Sequence, residues 1–337
     1  MKTSTWPDAW APKPNISFSS LATYRECPRK YWFTAAPAEI RRQFPYSYKA
    51  ECNLLSDFMV VGQVVDESIK RGLKIYRGTR EWPKDMRAIG NQTLGELLAF
   101  SRAFTELTAR QEKIPFTSWS ALERNYYHED YSEDELSQKR SEIATCLMRY
   151  EEPAFRDFLE LHWEYDWDIP EPVEVRPVPW FIADGMPIYA SYDFVMRGAK
   201  VSYVIDWKTG KHSEESEVKA RKQLHIYAAF VHHHYKVPFE QIQIGAVWLK
   251  ESGYPVFEAV NEDVIASILN EWREQHEHLK VLVAEATVAD KLGASFFPRT
   301  EDKWKCRYCQ FRSCKGYQDY KAEAALKYTA TEEPEPE

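Results

Sequence analysis

Residues Val201 to Lys211 read VSYVIDWKTGK. Val201, Tyr203, Val204 and Ile205 are β-branched or aromatic, the side chains that suit a strand. The run leads straight into Asp206, Trp207 and Lys208. Alternate residues of a strand share a face, so Asp206 and Lys208 point the same way. Thr209 and Gly210 then supply a turn just beyond the pair. A carboxylate here can hold a divalent cation, and the ammonium beside it can offset charge on a phosphate. The same triplet also occurs as a solvated ion pair on an edge strand, so its neighbours decide between the two readings.

The preceding run, IYASYDFVMRG (188–198), is a second strand, joined to the first by the tight turn Arg197-Gly198-Ala199-Lys200. That is a hairpin signal. Asp193 stands among Tyr192, Phe194 and Val195, where a carboxylate is costly unless paired or metal-bound. Two adjacent antiparallel strands thus each bring an aspartate inward. VEVRPVPWFI (173–182) predicts a further strand. After a polar loop, His212 to Glu217, a helix is expected over 218–235. Gln223 and Tyr227, four residues apart, share one of its faces, and Lys219, Arg221 and Lys222 give its start a positive character. IQIGAVWLK (242–250) predicts another strand, and residues 262–286 a long amphipathic helix.

The N-terminal part is helical in pattern. Ser19 or Ser20 can cap a short helix, and Pro28 disfavours helical geometry at Cys27, so a break is expected there with the thiol exposed. Arg25, Arg29 and Lys30 surround it. Residues 54–76 predict an amphipathic helix in which Gly62 marks a close approach, with Asp66 and Glu67 one turn on. Helices near 89–112 and 133–163 form an expected helical insertion or cap over 85–165. Cys146 reads as core, and Cys52 has no evident role. His128, His162 and the run His232 to His234 read as ordinary histidines, because consecutive residues of a helix face different ways.

Near the other end, KWKCRYCQFRSCK (303–315) places Cys306, Cys309 and Cys314 in C-x2-C-x4-C spacing. Three soft ligands so close signal a metal, and they need a fourth to complete a tetrahedral zinc or a cubane cluster. Residues 1–15 read as an extended arm, and 319–337, ending TATEEPEPE, as a partly disordered acidic tail.

The net charge of -8 excludes a generally sticky polycation, yet 44 Lys and Arg leave room for a local basic groove. Aromatic residues make up 15% of the chain. No apolar run approaches the roughly 18 residues of a membrane span, and the N-terminus lacks the apolar core of a signal peptide. A cytoplasmic protein is expected, with its six cysteines as ligands or buried thiols. No G-x-x-x-x-G-K-[ST] phosphate-binding loop is present.

Together these motifs, in this order, resemble the RecB-like branch of the PD-(D/E)xK nuclease superfamily. More narrowly, they resemble its iron–sulfur members, the AddB-type nuclease domains and the exonucleases of CRISPR adaptation. The resemblance runs over about residues 15 to 318. Ser17, Ser19, Leu21, Tyr24, Cys27 and Pro28 match the family's opening motif, and Gly62 to Asp66 its G-x-x-x-H helix. Asp193 matches its acidic strand residue, Asp206 and Lys208 its D-x-K strand, and Gln223 and Tyr227 its Q-x-x-x-Y helix.

The resemblance implies a restriction-endonuclease-like α/β fold, a mixed sheet flanked by helices. It implies Mg²⁺ or Mn²⁺ held by Asp66, Asp193, Asp206 and the Trp207 carbonyl, with Lys208 as the catalytic lysine. Gln223 and Tyr227 would orient it or the DNA. Cys27, Cys306, Cys309 and Cys314 would hold a 4Fe-4S cluster, with Zn²⁺ as the alternative. The implied activity is a DNA exonuclease on single strands or ends, in recombination, repair or phage or CRISPR DNA processing. A helicase, recombinase or single-strand-binding protein is an implied partner, and Lys211, Lys222, Arg307 and Arg312 are candidate DNA contacts. Asp66 stands where the family has histidine, and Ala190-Ser191 where a glycine often precedes the strand aspartate. A nuclease-dead subunit that binds DNA ends is the other reading that the Asp66 departure permits.

Overall fold

The computed structural model describes residues 16–113, 119–171, 178–289 and 296–330. The expected arm over 1–15, residues 172–177 of the predicted strand and residues 331–337 of the tail lie outside the described residues. Where the sequence reading drew one domain over 16–318, the chain groups into two compact units. One comprises Met1–Cys52, Ile182–Ile188 and Asn270–Glu337, the other Asn53–Phe181 and Tyr189–Leu269.

The larger unit is organised on a five-stranded mixed sheet. Its order is Asp166–Asp168, Phe194–Arg197, Ser202–Lys208, Ile242–Trp248, Glu258–Ala259. The expected hairpin forms, with Phe194 opposite Ile205 and Arg197 opposite Ser202. Ser202–Lys208 then runs parallel to Ile242–Trp248, from Ser202 opposite Ile242 to Lys208 opposite Trp248. A parallel pair needs a crossover, which the helix Glu214–Tyr235 provides.

Strand alternation sorts the side chains of the central strand. Ile205 and Trp207 enter the main apolar cluster, where the Trp207 ring meets Tyr150, Phe155 and Phe194. Asp206 and Lys208 take the opposite face. Four helices share that cluster, one of them Pro153–Leu161 through Phe155, Phe158 and Leu159. Val60–Thr79 buries Val60, Val64, Val65, Ile69 and Leu73, a stripe at helical spacing, and it packs with Met86–Ala109 and Glu133–Tyr150. Each such buried aliphatic side chain contributes about 1.5–3 kcal/mol. The expected insertion over 85–165 is thus part of this core.

Several boundaries differ from expectation. The helix expected over 54–76 begins at Val60, because Leu54–Leu55 pair in parallel with Ala121–Leu122 and Asp57–Met59 form a 3-10 turn. The helix expected over 133–163 stops at Tyr150 and restarts at Pro153, the proline occupying the first helical position of Pro153–Leu161. The run 188–198 is not one strand. Met186–Tyr189 pairs with Trp180–Ala183 in a separate two-stranded sheet, and Asp193 sits in a bend just before Phe194–Arg197. The loop 212–217 is mostly helix. Ser213 caps it through a reciprocal bond with Ser216, and its first turn is acidic (Glu214, Glu215, Glu217) rather than positive.

Gly253 is a close approach in this unit. A Cβ there would stand 1.6 Å from the Arg149 carbonyl oxygen. Backbone cannot move aside as a side-chain tip can, so Gly253→Ala is expected to cost about 3 kcal/mol. Calorimetry should show the melting temperature falling by roughly 5–10 °C.

In the smaller unit, Ser17 rather than Ser19 or Ser20 caps the helix Phe18–Glu26, in a capping box with Ser20. Cys27 breaks the helix as expected, with an extended backbone (φ -157°), and Pro28 opens the next helix, Pro28–Ala35. Tyr31, Trp32 and Phe33 are buried, with Trp32 stacked on Phe297 and Phe33 against Phe311. Lys315–Ala330 is a helix that takes in the described part, 319–330, of the expected tail. Its alanines, its lysines and Glu323 are strong helix formers. Among the described residues no helix is long and apolar enough to cross a membrane.

Candidate active site

The face of the central strand opposite Trp207 carries a chain of polar contacts. Lys208 Nζ lies 2.5 Å from Asp206 Oδ2 and donates to Gln223 Oε1 at 2.8 Å. Gln223 Nε2 donates in turn to the Tyr227 hydroxyl at 2.6 Å. The D-x-K strand and the Q-x-x-x-Y helix therefore form one unit, because the crossover helix returns over the strand that precedes it. Burial, and then Asp206 and Asp193, hold the Tyr227 phenol well above its usual value, so it keeps its proton.

Asp193 meets the end of the same strand across the hairpin, its Oδ2 accepting the Trp207 backbone N–H at 2.7 Å. Asp66 comes from the Val60–Thr79 helix. That helix approaches closely at Gly62, where a Cβ would lie 3.2 Å from Thr209 Oγ1, just past Lys208. Asp66 Oδ2 accepts from Lys70 Nζ at 2.7 Å, whereas Asp66 Oδ1 is buried without a hydrogen-bond partner. Gln63, Asp66, Glu67, Lys70, Tyr192 and Asp193 line a cavity of about 290 Å³.

Burial raises the proton affinity of Asp193 well above the usual carboxylate range, and Asp206 and Asp66 raise it further. Asp66 is raised by burial and, with opposing help from Lys70, by Glu67 and Asp206. Three acidic groups thus crowd one site. Burial opposes the charges of Lys70 and Lys208, yet the neighbouring carboxylates outweigh it and both lysines are raised.

A linkage follows from these directions. The folded chain holds the Asp66 and Asp193 protons more tightly than the unfolded chain. Without metal, the contribution of these two groups to stability is fully present below the ordinary carboxylate pKa and is lost as pH rises through the raised values. A cation that needs both groups ionised releases those protons. Melting curves with and without Mg²⁺ between about pH 5 and 8 should therefore show a stabilisation by metal that grows with pH. A metal effect that shrinks with pH would contradict the assignment of these carboxylates.

Donor chemistry here suits a hard divalent cation: carboxylate oxygens, one of them buried and bare. Among the described residues no group of three or more His, Cys, Asp or Glu side chains is arranged to hold a metal ion as it stands. Lys70 was not singled out from the sequence. Its signal was present in D-x-x-x-K, since residues i and i+4 of a helix are neighbours. Of the candidate DNA contacts, Lys211, Lys222 and Arg307 are exposed and Arg312 is half-buried. Arg307 lies over the exposed rings of Trp304 and Tyr308, and Arg312 over Tyr317. The histidine run divides as expected: His232 stacks on Phe239, His233 contacts Phe181 and His234 stacks on Phe230.

In the smaller unit, Cys27, Cys306, Cys309 and Cys314 line one small cavity with Lys30, and none forms a disulfide. The Cys27 thiol is half-buried, not exposed as expected. The terminal cysteines are held near it by packing. Tyr48 donates to the Ser313 carbonyl at 3.2 Å, Glu51 accepts from the Ser313 N–H at 2.8 Å, and Arg29 donates to the Phe297 carbonyl at 2.6 Å. Burial pushes the Cys309 thiol up to about 12, with Lys30 opposing. Cys146 is core, as expected, and Cys52 donates to the Phe33 carbonyl at 3.1 Å.

No curated protein matches the chain. A family model does, over residues 15–314, which takes in the D-x-K strand, the Q-x-x-x-Y helix, both upstream aspartates and all four clustered cysteines. Nucleases of that family generally use Mg²⁺ or Mn²⁺, in keeping with the oxygen donors gathered at Asp66, Asp193 and Asp206. With its mixed sheet flanked by helices and a family match over most of its length, the chain belongs to the PD-(D/E)XK nuclease superfamily and is by class a metal-dependent nuclease.

Proposed function

We propose that the chain is a deoxyribonuclease acting on single-stranded DNA or DNA ends as an exonuclease, in recombination, repair or the processing of phage or CRISPR DNA. The observation that carries the hydrolytic reading is Lys208, held between Asp206 Oδ2 and Gln223 Oε1 on a strand whose Trp207 N–H is bonded by Asp193. Asp66, Asp193, Asp206 and the Trp207 carbonyl would hold Mg²⁺ or Mn²⁺. Such a cation, when bound, supplies Lewis acidity toward the phosphodiester. Lys208 places its ammonium where charge develops on the phosphate. Gln223 fixes that ammonium, and Tyr227 fixes Gln223.

Support for a strand with unpaired bases comes from the smaller unit. Trp304 and Tyr308 are 55% and 50% exposed, with Arg307 over both rings. Exposed aromatic faces beside a cation suit base stacking, and Lys211 and Lys222 suit phosphate contacts. We further propose that Cys27, Cys306, Cys309 and Cys314 hold a 4Fe-4S cluster, with Zn²⁺ as the competing occupant; their shared cavity and free thiols support it.

The test uses end-labelled single- and double-stranded DNA with Mg²⁺ or Mn²⁺ and anaerobically purified chain. Release of label as short products from one end supports an exonuclease and gives its polarity. Internal cuts would replace that reading with an endonuclease. DNA binding with no cleavage under any metal would favour the end-binding subunit.

A further inference from the structure

We infer that Lys70 is a positioning residue that sets how tightly the site binds its divalent cation, by occupying one oxygen of Asp66 and leaving the other for the metal. The inference rests on the reading of Asp66 as a metal ligand. Two features of the geometry carry it. Lys70 Nζ is 2.7 Å from Asp66 Oδ2, while Oδ1 of the same carboxylate is buried and has no partner. A free surface carboxylate would turn to hydrate both oxygens. Here the lysine, one helical turn on, fixes the rotation, so the bare oxygen keeps its direction. Lys70 is itself confined, its side chain only 18% exposed, and it lines the same cavity as Asp193.

The second feature is the charge balance. The site holds Asp66, Asp193 and Asp206 against Lys208 and Lys70, since Glu67 is turned to Arg71 at 2.9 Å. Lys208 is committed to Asp206 and Gln223. Lys70 is therefore the cation paired with Asp66, and it lines the same cavity as Asp193. A resident ammonium a few ångströms from an incoming divalent cation also repels it. Lys70 thus lowers affinity while it preorganises the ligand, which keeps metal binding reversible.

Calorimetric titration of the full-length chain with Mn²⁺ tests this, for wild type, Lys70→Met, Lys70→Gln, Lys70→Arg and Asp66→Asn. Lys70→Met and Lys70→Gln should bind Mn²⁺ about tenfold tighter or more, while their metal-free forms melt below wild type and recover when saturated. Lys70→Arg, which keeps the charge, should stay within about threefold. Two charge-removing variants guard against one failing to fold. Folded Lys70→Met or Lys70→Gln with wild-type or weaker Mn²⁺ affinity overturns the inference. Asp66→Asn separates it from the reading beneath: unchanged affinity there removes Asp66 from the ligand set, whereas weakened affinity with no effect at Lys70 removes Lys70 alone.

Discussion

Asp206→Ala is expected to abolish cleavage while the metal-free chain melts no lower than wild type. The two halves of that expectation come from the same contacts. Asp206 is 3% exposed and raises the proton affinities of Asp193, Asp66 and Tyr227, so it stands among like charges that the folded chain must tolerate. Removing it relieves repulsion and frees Lys208 from its carboxylate. The chain should gain or hold stability and lose a proposed cation ligand, the trade expected where a site is kept against the fold's own preference. Lys208→Ala behaves differently. It leaves Asp206 buried without its ammonium, at 2.5 Å in the native site, so stability falls as well. The lysine's part in offsetting transition-state charge is of the size of an oxyanion donor, about 10²–10³ in kcat. Gel assays on labelled DNA and melting curves together read this pattern. Cleavage by Asp206→Ala within tenfold of wild type would place the active centre elsewhere. A large drop in its melting temperature would show that Asp206 is a structural anchor.

What the sequence disclosed, and what it hid, follows from the range of each signal. Asp206 with Lys208, and Gln223 with Tyr227, were legible because each pair obeys the period of one element, two for a strand and close to four for a helix. The link from Lys208 to Gln223 spans 15 residues and needed only the crossover rule, which places the helix after a parallel strand back against it. Asp193 was legible as an aspartate among apolar residues, but its place in a bend was not. Its run is interrupted at Ala190 to Tyr192, where apolar and aromatic composition looks the same inside a strand and outside it. The start of the Asp66 helix was missed for a like reason: Leu54 and Leu55 are apolar for a strand pair, not for the helix stripe. Lys70 was hidden because a lysine four residues from an aspartate is commonplace on exposed helices. Only its burial in the cavity gives it meaning. The helix Lys315–Ala330 was obscured by the acidic ending that follows it.

If the four cysteines hold the proposed metal, Cys27→Ser is expected to abolish its binding and to destabilise the chain by about 5 kcal/mol, the cost of reopening a loop of nearly 280 residues on a chain-entropy account. Cys27 and Cys306 lie that far apart in sequence yet line one cavity, beside Cys309 and Cys314. Without a metal these thiols do little. Cys309 is pushed up to about 12 by burial, so it is protonated at neutral pH and is neither nucleophile nor ligand. A cluster or a zinc ion removes those protons and replaces them with bonds, and its binding energy becomes folding energy for the segments that carry the ligands. Tyr48, Glu51 and Arg29 already tie the terminal segment down by hydrogen bonds, two of them charge-assisted. Each contributes about 1–3 kcal/mol. The metal should therefore dominate. Iron, sulfide and zinc analysis of anaerobically purified chain decides the occupant: about four iron with matching sulfide for the cluster, zinc without sulfide for the alternative. Cys52→Ser is the control. Its thiol faces the Phe33 carbonyl and stands outside that cavity, so metal content should be unchanged. A wild type free of metal and indifferent to Cys27→Ser would reduce the four thiols to a packed sulfur cluster held by Phe33 and Phe311.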